Sequence, residues 1–337
     1  MIFGNLSGDS VRLVTFESAG RAPAVGALVR DDRHIVDLAR ACPGDAAFHS
    51  MQGLIEAGPA ALDKARDAAD AAARSGGHLH ATAECRLLAP VPVPVQMRDF
   101  GCFSEHFRNC RETRLRRRAA SAPDPQKAYE AAVAAGGLKL PADFMERPRF
   151  YTCNRLSVVG HGTVVPWPEM TEQLDFELEF GVFIGTPARD VPEEHAHRHI
   201  FGYTLFNDLT MRDVQEAEER TGGKNKDFDS GNVMGPCIVT ADEIPDPYAL
   251  RAFARVNGET WCDNTTATMD RTFAQIIAYM SRSQTLHAGE FLASGTVGGG
   301  CGLERDRYLN PGDRIDIGME RIGTLSITIG QREGGRP

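Results

Sequence analysis

Leu174-Asp175-Phe176-Glu177-Leu178-Glu179-Phe180-Gly181-Val182-Phe183-Ile184 is the stretch that decides the fold class of this chain. From Leu174 to Phe180, apolar and acidic residues alternate without a break. Side chains on a strand alternate between faces, so Leu174, Phe176, Leu178 and Phe180 line one face and Asp175, Glu177 and Glu179 the other. Three like charges at i, i+2 and i+4 repel unless water or a cation compensates them. A strand with a solvated acidic face is one reading, and a carboxylate cluster that holds a cation is the other. The apolar run Gly181 to Gly185 then carries the strand into a buried core.

Outward from this strand, β-type runs dominate everything after residue 150: SVVGHGTVV (157–165), GPCIVT (235–240), ARVNGETW (254–261), RIDIGM (314–319) and TLSITIG (324–330). Helical stretches interrupt them near 191–200 and 270–282. This is α+β, mostly β, with inserted helices, and not a parallel sheet alternating regularly with helices. Towards the N-terminus, VRLVTFE, AVGALVR and HIVDLAR (11–40) read as short strands, and 60–75 as a helix closed by Gly76-Gly77. Prolines at 90, 92 and 94 make 87–95 an extended connector, because proline forbids helix and cannot donate to a central ladder. We place a boundary there, between a small N-terminal domain (1–88) and a larger domain (97–330). Within the latter, 104–119 reads as a basic helix with Ser104 as N-cap, followed by a second helix from Asp124-Pro125 to Gly136-Gly137.

Composition narrows the function classes. The 337 residues carry 37 Lys+Arg against 46 Asp+Glu, a formal net charge of −9, which disfavours nucleic acid or an anionic membrane as a partner. No apolar run approaches the ~18 residues of a membrane span. The opening MIFGNLSGDSVRLVTF lacks the basic-then-apolar pattern of a signal peptide. The 8 cysteines include no C-x-x-C pair, so reduced thiols in a cytoplasmic protein are expected.

A second acidic position, Asp208, ends the aromatic run Gly202-Tyr203-Thr204-Leu205-Phe206-Asn207-Asp208. Carboxylates from two elements can converge on one hard cation. A set without Cys or His points to Mg²⁺, Mn²⁺ or Ca²⁺ rather than zinc. His195, His197 and His199 have helical spacing for a metal but read better as a surface helix. Arg111, Arg114, Arg116, Arg117 and Arg118 read as a solvated face or as a lid that attracts an acidic substrate. Gly298-Gly299-Gly300 lacks the G-K-[ST] of a nucleotide loop, and its turn would let backbone N–H groups approach a carboxylate.

Taken together, the 174–180 strand, GYTLFNDLTMRDVQ (202–215), KNKDFDSGNVMGPCIVT (224–240), ARVNGE (254–259), GEFLASGT (289–296) and LNPGDRIDIGMERIGTL (309–325) resemble the fumarylacetoacetate hydrolase family, from about residue 97 to 330. Residues 1–88 resemble the small N-terminal domain many members carry. The resemblance implies a mixed β-roll catalytic domain that forms a homodimer. It implies Mg²⁺ (or Mn²⁺ or Ca²⁺) held by Glu177, Glu179 and Asp208, with Asp99 as fourth ligand. His106 falls on the general base, and Arg212, Gln215 and Lys226 on positions that stabilise a developing oxyanion. Tyr151 falls on a substrate-contacting tyrosine, and Gly295-Thr296 on the turn that holds the substrate carboxylate. Two positions depart from the family pattern: Asn109, where many acylpyruvase-type members carry a glutamate, and Gly101, where the hydrolases carry a tyrosine.

The implied activity is hydrolysis of a C–C bond in a small diketo acid, acylpyruvate- or fumarylpyruvate-like, of the kind met in aromatic catabolism. Decarboxylation, dehydration or isomerisation of a related 2-oxo acid shares the same metal site, and a catalytically inactive metal-binding homologue is a further alternative. The 104–149 segment is expected to be a mobile lid that delivers His106 on closure.

Overall fold

The computed structural model describes residues 11–332. The first ten residues of the 1–88 segment, and most of the opening stretch read for a targeting signal, lie outside the described residues. No helix of the described residues is long and apolar enough to cross a membrane.

Two sheets form the body. The larger, of 12 strands among the described residues, runs through Arg12–Ser18, Asn232–Thr240, Ile200–Asp208, Leu178–Ile184, Phe291–Ala293, Met97–Phe100 and Phe150–Thr152, each hydrogen-bonded to the next. A 5-stranded sheet, with Arg251–Val256, Arg314–Met319 and Gly323–Ile329 at its centre, packs on one face of it. Leu178, Phe180, Val182 and Ile184 meet Ile315, Ile317, Leu325 and Ile327 in one apolar core. Phe183 points the other way and joins Phe206, Phe291 and Met234. That second face is covered by the helices Met51–Ala57 and Pro59–Ser75, through Met51, Leu54, Ile55, Ala61 and Ala65. With both faces buried, every residue from Leu178 to Ile184 is buried, which is why the run after Phe180 loses its alternation.

Segments on either side of the 87–95 connector share the larger sheet, since Arg12–Ser18 pairs antiparallel with Asn232–Thr240. The expected helices are present: Pro59–Ser75 ends at Gly76 with φ 80°, Ser104–Ala119 is continuous, and Pro125–Ala134 is capped by the Asp124 side chain. The Ser104 cap is a correction. Ser104 is the first helical residue, and its N–H is met at 2.5 Å by the Asp270 carboxylate from a distant loop.

The deciding stretch also differs from a single strand. Leu174–Asp175 pairs with Thr210–Met211, Leu178–Ile184 pairs with Ile200–Asp208, and Phe176–Glu177 lie between the two ladders. The alternation survives the break: Leu174, Phe176, Leu178 and Phe180 share the core, and the three acidic residues lie on the other side. That side is not solvated, since Asp175, Glu177 and Glu179 are all buried.

Close backbone approach across the sheet sets a test. A Cβ at Gly202 would lie 2.4 Å from the Val239 carbonyl oxygen of the neighbouring strand, which cannot swing aside. Gly202→Ala should therefore destabilise the protein by ~1–3 kcal/mol, read as a lower urea midpoint. An unchanged midpoint would show that the strands can separate there without cost.

Candidate active site and metal centre

Neighbouring strands deliver the acidic groups to one place. Asp99 stands on Met97–Phe100, Glu179 on Leu178–Ile184 and Asp208 at the end of Ile200–Asp208. One carboxylate oxygen from each lies within 4.8 Å of the others. Oδ1 of Asp99 and Oδ1 of Asp208 are buried with no hydrogen-bond partner among the described residues. Orphaned anionic oxygens are costly unless a cation takes them, so these three residues fit a hard divalent ion. Burial is the main cause that raises the Asp99 carboxyl to about 6 and the Asp208 carboxyl to about 7, and it raises Glu179 strongly as well.

The turn at Gly295-Thr296 orients Glu179: the Gly295 N–H donates at 3.2 Å and the Thr296 hydroxyl at 3.3 Å. Gly295 has φ 79°, and a Cβ there would lie 2.0 Å from the Phe100 carbonyl oxygen. Tyr151 donates its hydroxyl to Asp208. Both positions were expected to touch substrate. They line the cavity and also bond the candidate ligand carboxylates Glu179 and Asp208.

Glu177 stands beside this triad, its charge already matched. Arg212 donates from Nη2 to Glu177 at 2.6 Å and from Nε to Asp175 at 2.7 Å. Lys226 donates to both Glu177 and Asp208. Although burial opposes it, Lys226 and Arg212 hold the Glu177 carboxyl far below the usual range. Asp175, not singled out by its sequence position, is the anchor: it also accepts from the backbone of Gly302 at 2.7 Å and Leu303 at 3.0 Å. Gln215 accepts from Arg212 at 3.1 Å and from Arg114 at 3.3 Å.

A cavity of about 330 Å³ opens over these groups, walled by Glu177, Glu179, Arg212, Gln215, Tyr151 and His106 among others. His106 was expected to arrive only on closure of the 104–149 segment. It is already seated and buried, with Nε2 4.0 Å from Glu177. Its partner is Glu304, which the sequence reading missed: Oε1 lies 2.8 Å from His106 Nδ1. Oε2 accepts from Asn109 at 2.7 Å and from the Gly299 N–H at 2.6 Å. Asn109 thus binds the orienting carboxylate instead of supplying it. Burial works to lower the His106 pKa, but Glu304, with Cys301, outweighs it and raises it to about 10. The glycine turn does meet a carboxylate, and it is the protein's own. Gly101 makes room for the Phe107 ring, whose nearest atom would lie 2.7 Å from a Cβ at that position.

The basic run is largely fastened down. Arg116 bonds Glu112, and Arg117 bonds Asp306, while Arg114 reaches the cavity wall. His195 is exposed on the short helix Glu193–Ala196, His197 is exposed in the turn that follows, and His199 bonds Thr186.

The model of the fumarylacetoacetate (FAA) hydrolase C-terminal region matches residues 99–330. The chain belongs to the fumarylacetoacetate hydrolase family. Among curated relatives, oxaloacetate tautomerase YisK of Bacillus subtilis (strain 168) is 32% identical over 313 residues, covering 90% of this chain and 95% of the relative. Among solved structures, fumarylacetoacetate hydrolase from Exiguobacterium antarcticum superposes with a TM-score of 0.71 at 28% identity, covering 96% of this chain and 100% of that one. Maleylpyruvate hydrolase from Sphingobium sp. SYK-6, in complex with manganese(II) and pyruvate, shares the fold with a TM-score of 0.67 at 22% identity, over 96% of this chain and 100% of that one.

Two outcomes test the site. Asp208→Asn should weaken Mn²⁺ binding by roughly 10–100-fold, followed by electron paramagnetic resonance, whereas Lys224→Ala on the exposed loop should not change it. Equal affinities would remove Asp208 from the ligand set. Glu304→Gln should leave Mn²⁺ affinity intact. Losing the carboxylate lets His106 shed its proton at lower pH, so the His106 limb of the pH–rate profile should move to lower pH. A profile that keeps its position would reduce Glu304 to packing.

Proposed function

We propose that this protein is a divalent-metal-dependent enzyme that interconverts the keto and enol forms of a small 2-oxo dicarboxylic acid of the oxaloacetate type. The observation that carries this reading is the placement of one proton carrier, His106 held by Glu304, at a cavity wall beside the Asp99–Glu179–Asp208 triad. Enolisation needs a group that moves a proton at the carbon next to the carbonyl and a means of accepting charge on the carbonyl oxygen. When bound by Asp99, Glu179 and Asp208, the cation supplies Lewis-acid polarisation of the 2-oxo group. His106, fixed through Nδ1, presents Nε2 to the cavity and moves the proton there. Arg114, with Gln215 beside it, offers charge to a distal carboxylate. Tyr151, Gly295 and Thr296 keep the carboxylates in place. The cavity of about 330 Å³ suits a small acid. The tautomerase relative, similar along nearly the whole chain, supports the same choice.

Hydrolysis of a C–C bond in a diketo acid, the activity expected from the sequence, is the second reading. The Exiguobacterium hydrolase favours it, and the Arg212–Gln215 pair at the cavity wall would face a developing oxyanion. In that case His106 takes a proton from the attacking water. Lys226 is better placed as the counter-ion of Glu177 and Asp208 than as a direct oxyanion donor, since both carboxylates already hold its ammonium. We take Mg²⁺ as the working metal and Mn²⁺ as its replacement.

The two readings separate in deuterated water. With Mg²⁺, the enzyme should accelerate exchange of the C3 protons of oxaloacetate, followed by proton NMR, and should release no new acid. EDTA should abolish the exchange, and His106→Ala should slow it by ~10²–10⁴. Release of equal amounts of pyruvate and a carboxylic acid from an acylpyruvate, with no enhanced exchange, would overturn the tautomerase reading in favour of the hydrolase.

A further inference from the structure

Behind His106, away from the carboxylate triad, lies a second group of potential ligands with the opposite chemistry. Cys110 stands one helical turn after His106, and its Sγ is 3.8 Å from His106 Nδ1. Cys301, in the turn beyond the glycines, has its Sγ 3.9 Å from the same nitrogen. The ligand atoms of His106, Cys110 and Cys301 all lie within 4.8 Å of one another. Glu304 Oε1 lies beside this group, 2.8 Å from Nδ1 and 3.5 Å from the Cys301 sulfur.

Zinc–ligand bonds of about 2.0–2.3 Å at tetrahedral angles give edges of roughly 3.3–3.8 Å. The sulfur separations from His106 and Glu304, 3.5–3.9 Å, are close to these, and the His106–Glu304 separation is short, as expected while a proton still joins the two. Two thiolates, an imidazole and a carboxylate select Zn²⁺ or a similarly thiophilic ion over Mg²⁺. His106 and Cys110 line the main cavity, which gives an ion a way in, and Cys301 closes the far side. The cavity thus borders two ligand sets of opposite hardness, with His106 belonging to the soft one through Nδ1.

We propose that His106, Cys110, Cys301 and Glu304 form a zinc-type site whose occupation switches the enzyme off. Binding releases the two thiol protons to solvent, their charge replaced by that of the ion, while the single proton of the neutral His106 ring passes from Nδ1 to Nε2 by way of solvent. The Nδ1–H···Glu304 hydrogen bond is then lost. A neutral imidazole metallated at Nδ1 carries its remaining proton on Nε2, so the nitrogen facing the cavity has no lone pair to accept another. The ion also takes the Glu304 oxygen that orients the ring. The binding claim stands on the four donors alone, whereas the inhibitory claim rests on the proposed role of His106 as proton carrier.

The test uses the full chain, reduced, with Mg²⁺ saturating the carboxylate triad. Co²⁺ should add the intense near-ultraviolet band of thiolate-to-cobalt charge transfer, and Zn²⁺ should bleach it. Zn²⁺ should inhibit reversibly, with activity restored by a chelator followed by fresh Mg²⁺. Cys301→Ala should lose the band and, measured against its own zinc-free rate, resist zinc at roughly 10–100-fold higher concentration. The band in the unaltered protein needs no variant to fold, and its absence overturns the site. A band displaced by Zn²⁺ without loss of turnover overturns the switch and, separately, removes His106 from the proposed reaction. Inhibition that persists unchanged in Cys301→Ala would place the zinc on the carboxylate triad instead.

Discussion

Charge buried on one side of a β-strand is the constraint around which the rest is arranged. Asp99, Asp175, Glu177, Glu179 and Asp208 are all buried, as are Arg212 and Lys226. An ion taken out of water costs several kcal/mol unless a partner and hydrogen bonds replace the solvent. The chain meets this with a line of pairs, from Asp175 to Arg212, to Glu177, to Lys226, to Asp208. At the Asp175 end the compensation is complete, with two backbone N–H groups added to the guanidinium. It thins along the line, and Asp99 and Glu179 come last, with no cation among the described residues in hydrogen-bond contact. The line of pairs therefore concentrates the deficit of positive charge beside the cavity, in the position from which a divalent ion can fill it.

The backbone had to be arranged for this. Residues 174–180 alternate as a strand should, yet the chain leaves one ladder at Asp175 and enters another at Leu178. Between them, Asp175 accepts the N–H of Phe176 at 2.9 Å, and Asn207 accepts the N–H of Glu177 at 3.1 Å. These side chains satisfy the backbone where no strand partner does, as buried N–H groups require. The same break lets Asp175 face Arg212 and the 302–303 turn while Glu179 faces the triad. One short segment thereby supplies both the anchor of the charge network and a candidate ligand.

What the sequence made legible follows from locality. Alternation, glycine stops and the Asp124 cap depend on neighbours within a few residues, and those expectations match the structure. The spacing of Glu177, Glu179 and Asp208 showed that carboxylates could converge. It could not show that Glu177 is spoken for by Arg212 and Lys226, because those partners lie 35 and 49 residues further along the chain. Glu304 was illegible for the same reason: 198 residues separate it from His106. A faint signal existed, since Asn109 lies where related proteins carry a glutamate and an acidic residue follows the glycine run closely at 304. Ser104 was misread as a cap because a serine before a helical run is a common local solution, and here Asp270 provides a distant one. The solvated face proposed for the arginine run holds at Arg116 and Arg118, which are exposed, and not at Arg114 and Arg117, whose partners Gln215 and Asp306 come from another helix and from a turn.

Glu304 also settles how the segment above the cavity is coupled to the chemistry below it. One oxygen holds His106 and the other holds Asn109 and the Gly299 N–H, so a single carboxylate joins the Ser104–Ala119 helix to the glycine turn. Arg114 of the same helix reaches Gln215, which in turn bonds Arg212. Any displacement of that helix separates His106 from its orienting carboxylate and Arg114 from the cavity wall together. Under the proposed reaction, a proton carrier on one element and its orienting partner on another make seating of the helix a condition of catalysis. A water-accessible, open arrangement would leave His106 without the interaction that fixes its ring. Under the same proposal, the enol form of a 2-oxo acid would be handled where the helix excludes bulk water.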